Sequence, residues 1–296
     1  MDTVLDSGLW NNRKIVWEKL ESLKGLKGGV RMSTYVMSDL HGCYKYFLSM
    51  LEKIGFSDTD QLIMAGDYID RGPQSYEMLK WIEQCPPNVL LLCGNHEEEF
   101  AAYVDLMLLL DRSEELGTDF ASNADAVALY KSVKYFMRRK VLSVSYFDLY
   151  GTIGSLLEHH CITMHDLCRW SVRIRQMPYY HKQMFKNRIY IIVHAGYTEK
   201  VENISKRFGS LKKFYLYARD ESFTFGGVQY GTIIAGHTPT IIKECFAYNN
   251  GSVFQYYDQE KDCKFYDIDC GCTFRDRELE AKLACIRLED EKIFYV

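Results

Sequence analysis

The chain has 296 residues, of which 47% are hydrophobic, and it carries a formal net charge of −4 at pH 7. This composition is typical of a globular protein with a large core. The charge argues against binding to nucleic acid through bulk electrostatic attraction, and the apolar runs are too short to cross a membrane.

The residues before the first predicted strand are expected to form a separate N-terminal extension, 1–31. Apolar side chains at near-helical spacing predict an amphipathic helix over 9–24, and the glycine-rich residues 25–29 predict a flexible linker. Acidic residues stand where a secretory signal would carry basic ones, so we expect a cytoplasmic protein. The main domain is expected to cover 32–296.

The ten cysteines are mostly single and lie in apolar surroundings, which is typical of reduced, buried thiols. Only Cys270 and Cys272 stand close together in sequence. Because no second close pair completes a zinc-site spacing, we expect a structural role for these two residues.

The first part of the main domain alternates short apolar strands, polar loops and amphipathic helices. The strands are predicted over 34–37, 62–65 and 89–92. Twenty-eight residues separate Asp39 from Asp67, and another twenty-eight separate Asp67 from Asn95. Such spacing is typical of successive βαβ units with right-handed crossovers. We therefore expect three polar loops to meet at one edge of a sheet, where open α/β folds bind ligands.

The middle of the chain has helical periodicity and little strand character. Helices are predicted over 98–111, 125–140 and 154–176. We therefore expect an inserted helical subdomain over about 98–186, beside the site. Its apolar residues have two interpretations. They form a core of the subdomain itself, or they belong to a lid over the site.

Strand character returns at 188–193 and 231–235, and these strands end in His194 and His237, each beside a glycine. The remaining alternating segments predict short antiparallel strands that complete a second sheet. These segments lie around 253–257, 264–268, 284–288 and 293–296.

Five strand-end loops thus carry carboxylate, imidazole, amide and guanidinium groups. Their polar residues are Asp39, His41, Asp67, Asp70, Arg71, Asn95, His96, His194 and His237. One histidine after a strand is usually structural, but five such loops indicate a shared site. Carboxylate, imidazole and amide ligands suit two divalent ions such as manganese, iron or zinc. Two such ions would clamp a phosphoryl oxygen and lower the pKa of a shared water, which makes hydroxide available as nucleophile.

The loop sequences resemble the signature blocks of the calcineurin-like metallophosphoesterases, most closely the phosphoprotein-phosphatase branch in its bacterial and phage form. The blocks are Asp39-Leu40-His41-Gly42, Gly66-Asp67-Tyr68-Ile69-Asp70-Arg71-Gly72, Gly94-Asn95-His96-Glu97, His194-Ala195-Gly196 and Gly236-His237-Thr238. The resemblance covers about residues 33–97 and 188–288. It implies an α/β fold, the four-layer α/β/β/α sandwich of that family, here with the helical subdomain inserted.

The resemblance also implies two sets of metal ligands that share Asp67. One ion would be bound by Asp39, His41 and Asp67, and the other by Asp67, Asn95, His194 and His237. Manganese is the first expectation for the two divalent ions, with iron or zinc as alternatives.

Further roles follow from the same resemblance. His96 would be the general acid for the leaving alkoxide, and Asp70 would fix its orientation and charge. Arg71 and Asn95 would contact the substrate. A second phosphate-binding arginine resembles Arg219, which stands in the short match Leu216-Tyr217-Ala218-Arg219-Asp220.

The expected activity is hydrolysis of a phosphomonoester, as in serine/threonine protein phosphatases, by in-line attack of a metal-activated hydroxide. The alternative is a hydrolase of diadenosine tetraphosphate or related nucleotides, because that branch shares the same loops. A non-catalytic scaffold is disfavoured because every ligand position is retained. The substrate is thus a phosphorylated protein or a small phosphoester, and the long insert between His96 and His194 leaves this choice open.

Overall fold

The computed structural model describes residues 32–112, 152, 155–156, 163–200, 202–224, 226–246, 249–278 and 280–296. The expected N-terminal helix and linker, the helix predicted over 125–140 and part of the one predicted over 154–176 lie outside these residues.

The described strands form two five-stranded sheets. They are β1 (Thr34–Met37), β2 (Gln61–Met64), β3 (Val89–Leu91), β4 (Tyr180–Phe185), β5 (Arg188–Val193), β6 (Gly231–Ala235), β7 (Phe254–Asp258), β8 (Cys263–Asp267), β9 (Ala284–Arg287) and β10 (Lys292–Tyr295). The first sheet has the order β10-β9-β1-β2-β3 and the second has the order β4-β5-β6-β8-β7. Both sheets are mixed, with parallel strands at β1-β2-β3 and at β5-β6-β8.

The described helices flank these sheets. They are α1 (Tyr44–Ile54), α2 (Ser75–Glu83), α3 (Asn95–Arg112), α4 (Met164–Arg175), α5 (Glu202–Phe208), α6 (Leu211–Tyr217) and α7 (Glu221–Thr224), with a 3₁₀ turn at Cys272–Phe274. The predicted strand–helix alternation over the first part of the main domain is confirmed, since α1 connects β1 to its parallel neighbour β2, and α2 connects β2 to β3.

Alternating side chains bring the two sheets together face to face. Val36 and Ile63 of the first sheet share one buried cluster with Ile192 and Ile234 of the second. Their strand neighbours point the other way because successive side chains of a strand lie on opposite faces. In the first sheet those neighbours pack against residues of α1, α2 and α4, and in the second against α6. The expected four-layer α/β/β/α sandwich is therefore confirmed.

Two details of the predicted topology are wrong. The segments around 284–288 and 293–296 were expected in the second sheet, but β9 and β10 belong to the first, where β9 is antiparallel to β1. In the second sheet, β8 is parallel to β6 rather than antiparallel. The alternation of apolar side chains predicts which face of a strand is buried, but it carries no information about the neighbouring strand.

The end of the predicted insert also differs from the expectation, because residues 180–185 form β4. This strand lies at the edge of the second sheet and pairs with β5 alone. Its side chains alternate between exposed and half-buried, and none is fully buried. An edge strand with so little buried apolar surface has a weak period-2 signal.

Cys270 and Cys272, which stand close together in sequence, are buried and carry free thiols, as expected. Among the described helices, none combines the length and hydrophobicity needed to cross a bilayer.

Helix α1 anchors the outer layer of the first sheet. Its buried side chains are Phe47, Met50 and Leu51, and the helix ends at Gly55, which has the left-handed φ of 62° that favours glycine. The Phe47 ring is fully buried and lies 4.7 Å from the Trp81 ring of α2 in an edge-to-face arrangement. Phe47 therefore joins two helices to the sheet.

We expect Phe47→Ala to lower the free energy of unfolding by about 3–5 kcal/mol, because it removes a buried ring and leaves a cavity. Urea unfolding followed by circular dichroism measures this loss, and Phe47→Leu, which keeps most of the volume, is the matched control. A loss below about 1 kcal/mol would contradict the packing of α1 described above.

Candidate metal centre

The predicted ligands all follow the C-terminal ends of strands, as expected. Asp39 and His41 follow β1, Asp67 follows β2, and Asn95 begins α3 just after β3. His194 and His237 follow the parallel strands β5 and β6 of the second sheet. Since the two sheets pack face to face, these loops meet at one edge of the sandwich.

The backbone of these loops is unusual, because many of the polar residues have a positive φ. They are Asp39 (53°), His41 (44°), Asp67 (56°), Asp70 (67°), Arg71 (67°) and His237 (75°). Left-handed conformations are unfavourable for residues other than glycine and cluster at functional sites, where the surrounding structure holds them.

One group of donor atoms gathers around His194. Its Nδ1 donates to the carbonyl oxygen of Ala65 (3.0 Å), so its Nε2 presents a lone pair. This Nε2 lies 2.8 Å from Asn95 Oδ1, 3.2 Å from His237 Nδ1 and 3.4 Å from Asp67 Oδ1. Asn95 Oδ1 is in turn 2.9 Å from His237 Nδ1. The four predicted ligands of one ion therefore converge.

A second group lies on the other side of the Asp67 carboxylate. His41 Nδ1 donates to the carbonyl oxygen of Ile69 (3.1 Å), which leaves Nε2 as the acceptor. Nε2 is 3.6 Å from Asp67 Oδ2 and 4.0 Å from Asp39 Oδ1. The guanidinium of Arg71 donates to the same Nε2 (3.0 Å). The three ligands predicted for the other ion, which include the shared Asp67, thus also converge, with Arg71 beside them.

The electrostatics of both groups suit bound cations. Burial raises the pKa values of Asp39 and Asp67 well above their ordinary range, and the negative charges of neighbouring carboxylates add to the effect. Burial lowers the pKa of His194 to about 3 and holds those of His41 and His237 well below their ordinary value, so the imidazoles are neutral. Divalent ions bind neutral imidazoles and ionised carboxylates, and they would relieve the repulsion between the carboxylates.

Orphaned polar atoms lead to the same conclusion. Within the described part of the chain, Asp39 Oδ1 and Asn95 Nδ2 are buried and have no hydrogen-bond partner. Buried polar atoms without partners are costly, and each such atom in a native site requires an explanation. The donor set therefore fits two divalent ions that share Asp67.

His96 and Asp70 form a buried pair next to this centre. His96 Nδ1 lies 2.8 Å from Asp70 Oδ2, and His96 Nε2 lies 3.8 Å from Asp67 Oδ2. Burial and, next, the positive charge of Arg71 lower the pKa of His96 well below its ordinary value. One atom each from His41, Asp67 and His96 lie within 4.8 Å of one another, so the geometry permits His96 to be a ligand as well as an acid.

The two predicted phosphate-binding arginines are both exposed, whereas the predicted ligands are buried or, at His237, partly buried. Arg71 contacts His41 directly. Arg219 follows α6, and its backbone N–H donates to Glu221 Oε2 (3.0 Å). The ring of Tyr217, two positions before Arg219, lies 6.2 Å from the ring of His237, so α6 ends beside the second ligand group.

Glu97 is one residue to which the sequence analysis assigned no role. Its buried carboxylate accepts hydrogen bonds from the backbone N–H groups of Asp67 (2.7 Å), Tyr68 (2.8 Å) and Gly94 (3.1 Å). Burial raises its pKa to about 7, and these three hydrogen bonds oppose the rise. Glu97 thereby connects the β2 loop to the β3 loop. Its position in the sequence, directly after Asn95 and His96, was the signal that could have indicated a role at the site.

Thr152 is the other residue without an assigned role, and it comes from the middle of the chain. Its hydroxyl donates to Asp70 Oδ1 and accepts from the Asp70 backbone N–H (3.1 Å). Nothing in the sequence around position 152 indicates this contact, because the two residues are 82 positions apart.

Two glycines allow the close approach of these loops. A Cβ atom at Gly66, whose φ is 97°, would lie 2.6 Å from the Cα of Gly94. A Cβ atom at Gly236 would lie 2.0 Å from Asp39 Oδ2. Any larger residue at either position would displace a predicted ligand loop.

The family model for calcineurin-like phosphoesterases matches residues 32–240, a range that includes all six predicted metal ligands. The chain belongs to the calcineurin-like phosphoesterase family. This family uses a dinuclear centre of divalent metal ions, and the two donor groups that meet at Asp67 are candidates for its ligands. Hydrolysis of phosphoesters is the activity that gives this family its name.

Two curated relatives in this phosphoesterase family are similar over a shorter stretch. Both are named symmetrical bis(5'-nucleosyl)-tetraphosphatase. The protein from Buchnera aphidicola is 39% identical over 99 residues, which is 33% of this chain and 36% of the relative. The protein from Wigglesworthia glossinidia brevipalpis is 38% identical over 86 residues, or 29% of each chain. The similarity thus spans about a third of the relatives' length.

The chain also has a limited similarity to a solved structure. The metallophosphoesterase from Sphaerobacter thermophilus has a TM-score of 0.45 and 14% sequence identity, and the alignment covers 90% of this chain and 87% of the other. Because this TM-score is below 0.5, the family assignment depends on the family model and the site.

We expect Glu97→Gln to lower kcat/KM about 10- to 100-fold, as is typical when a hydrogen-bond partner behind a metal site is lost. The amide of glutamine would place a donor against backbone donors, so the free energy of unfolding should fall by about 1–3 kcal/mol. Steady-state kinetics and urea unfolding measure the two effects.

Glu83→Gln is the matched control, because the Glu83 carboxylate pairs with Lys80 and Arg169, whose side chains are partly exposed to solvent, where an ion pair contributes little. Both parameters should stay close to wild type there. An unchanged kcat/KM in Glu97→Gln would show that the two loops do not need this connection.

Proposed function

We propose that this phosphoesterase hydrolyses phosphoester or phosphoanhydride bonds at two divalent ions held on the two sides of Asp67. The observation that carries the proposal is the position of the Asp67 carboxylate, with Oδ2 facing His41 (3.6 Å) and Oδ1 facing His194 (3.4 Å). A single buried carboxylate between two sets of neutral imidazoles is suited to bridging two cations.

The ligands proposed for each ion are those expected from the sequence. Asp39, His41 and Asp67 would hold one ion, and Asp67, Asn95, His194 and His237 the other. When bound, the ions polarise the phosphoryl group and lower the pKa of a water molecule, so that hydroxide is available at neutral pH. The carbonyl oxygens of Ile69 and Ala65 keep the imidazoles of His41 and His194 in the tautomer needed for binding.

His96 is proposed as the general acid. Asp70 accepts a hydrogen bond from the Nδ1–H of His96. Nε2 is therefore the atom that can deliver a proton to the leaving oxygen. Burial and Arg71 lower the pKa of His96 in the structure. A bound phosphate opposes both effects, because it places negative charge beside the imidazole and pairs with the guanidinium of Arg71.

Arg71 and Arg219 are proposed to bind the phosphate oxygens, with Asn95 beside them. Arg71 lies at His41 Nε2, so its guanidinium must turn from this ligand atom towards the substrate when the ions bind. A guanidinium is suited to this task because it donates two parallel hydrogen bonds to phosphate.

For the substrate, we propose a dinucleoside tetraphosphate that is split symmetrically. The support is the activity for which the relatives are named; they are 38–39% identical over about a third of their length. Dephosphorylation of phosphoserine or phosphothreonine, the first expectation from the loop motifs, stays a prediction and is the competing outcome of the experiment.

We expect the purified protein to hydrolyse p-nitrophenyl phosphate when manganese is supplied and to lose this activity in chelator. Rates are then compared side by side on diadenosine tetraphosphate and on phosphoserine and phosphothreonine peptides. A higher kcat/KM on the dinucleotide, with ADP as the product, supports the proposal. A higher value on the peptides favours a protein phosphatase, and full activity in chelator would rule out the two-metal mechanism.

His96→Asn should lower kcat by about 10²- to 10⁴-fold, the usual contribution of a positioned proton donor. Manganese binding, measured by calorimetry, should stay within a few fold of wild type, because His96 is not among the proposed ligands. The control is His194→Asn, which removes a ligand and should weaken manganese binding. If His96→Asn loses manganese to the same extent as the control, His96 is a ligand instead of the acid.

A further inference from the structure

Thr152 is fully buried and makes both of its described hydrogen bonds to one residue, Asp70. The hydroxyl donates its proton to Asp70 Oδ1, and its oxygen accepts from the Asp70 backbone N–H at 3.1 Å. A threonine hydroxyl has one proton and two lone pairs, so both bonds can form together. They hold the carboxylate and the backbone of the same residue.

The second carboxylate oxygen of Asp70 faces the imidazole of His96, 2.8 Å from Nδ1. The three side chains therefore form a buried chain in the order Thr152, Asp70, His96. Asp70 also has a left-handed φ of 67°, a conformation that is uncommon for residues other than glycine. The hydroxyls of Thr152 and Ser75 both accept from its backbone N–H.

We propose that Thr152 is a positioning residue for proton delivery: it orients the Asp70 carboxylate so that His96 Nε2 points at the leaving oxygen. The proposal rests on the proposed role of His96 as general acid. It also gives the middle of the chain a part in the chemistry, since Thr152 lies in the long stretch between His96 and His194 where the expected helical subdomain is inserted.

A second hydroxyl from the same stretch provides a matched control. Ser155 Oγ accepts from the backbone N–H of Tyr76 (3.0 Å), in the first turn of α2. It is buried like Thr152, but it is bonded to a helix rather than to Asp70. Removal of either hydroxyl removes buried hydrogen bonds. Only the removal of the Thr152 hydroxyl should affect proton delivery.

The test compares aryl phosphates with good and poor leaving groups. A poor leaving group such as phenol needs a proton from the acid, whereas p-nitrophenol leaves readily without one. Thr152→Val, which keeps the shape but lacks the hydroxyl, should lower kcat on phenyl phosphate about 10- to 100-fold. The loss on p-nitrophenyl phosphate should be several-fold smaller, and KM should change little on either substrate.

Three variants make the result specific. Thr152→Ser restores the hydroxyl and should return kcat on phenyl phosphate close to wild type. Ser155→Ala should lower both rates equally or leave both unchanged. In an Asp70→Asn background, Thr152→Val should add no further loss, because both changes act through the same carboxylate.

A nuclear magnetic resonance readout is independent of activity. The Nδ1 proton of His96, assigned by its absence in His96→Asn, should give a downfield signal in the metal-free protein because it is bonded to a buried carboxylate. Faster exchange with water should broaden this signal in Thr152→Val. Thr152→Ser and Ser155→Ala should keep it sharp.

Equal losses on both aryl phosphates, an unchanged kcat in Thr152→Val, or a loss that Thr152→Ser does not restore would each overturn the proposal. Failure of the proposed function would give a different result, because the wild-type protein would then hydrolyse neither aryl phosphate when manganese is supplied. The nuclear magnetic resonance comparison would in that case still test whether Thr152 holds the Asp70–His96 pair.

Discussion

The site depends on one buried carboxylate, that of Asp67. Its two oxygens face two sets of imidazole and amide acceptors, and burial with neighbouring negative charge raises its pKa far above the ordinary range. An arrangement of this kind is unfavourable without positive charge between the groups. Arg71 supplies one positive charge beside these groups, and two bound cations would add the attraction that stabilises the close spacing of the loops.

The loops around Asp67 are held by contacts between distant parts of the chain rather than by regular secondary structure. Glu97 ties the backbone of the β2 loop to that of the β3 loop, and Thr152 holds Asp70 from a segment far along the sequence. These bonds hold Asp67 and Asp70, two residues with left-handed conformations that are uncommon outside glycine. Buried hydrogen bonds behind the ligand loops thus support their backbone.

The sandwich brings together ligands from both sheets. The β1, β2 and β3 loops of the first sheet supply Asp39, His41, Asp67 and Asn95, and the second sheet adds His194 and His237. Neither sheet alone holds the complete set of ligands proposed for the second ion, because Asn95 lies against both histidines of the other sheet. Packing of the two apolar faces around Val36 and Ile234 is therefore a condition for the site as well as for stability.

The amino-acid sequence by itself determined the strand–helix alternation, the polar loop after each strand and the convergence of those loops, because periodicity and spacing are local properties of a chain. Which sheet takes β9, the direction of β8 relative to β6, and the contacts of Glu97 and Thr152 were decided only by the tertiary structure. Strand partners and buried hydrogen bonds depend on residues far apart in sequence, such as Asp70 and Thr152, and no local pattern encodes such a pairing.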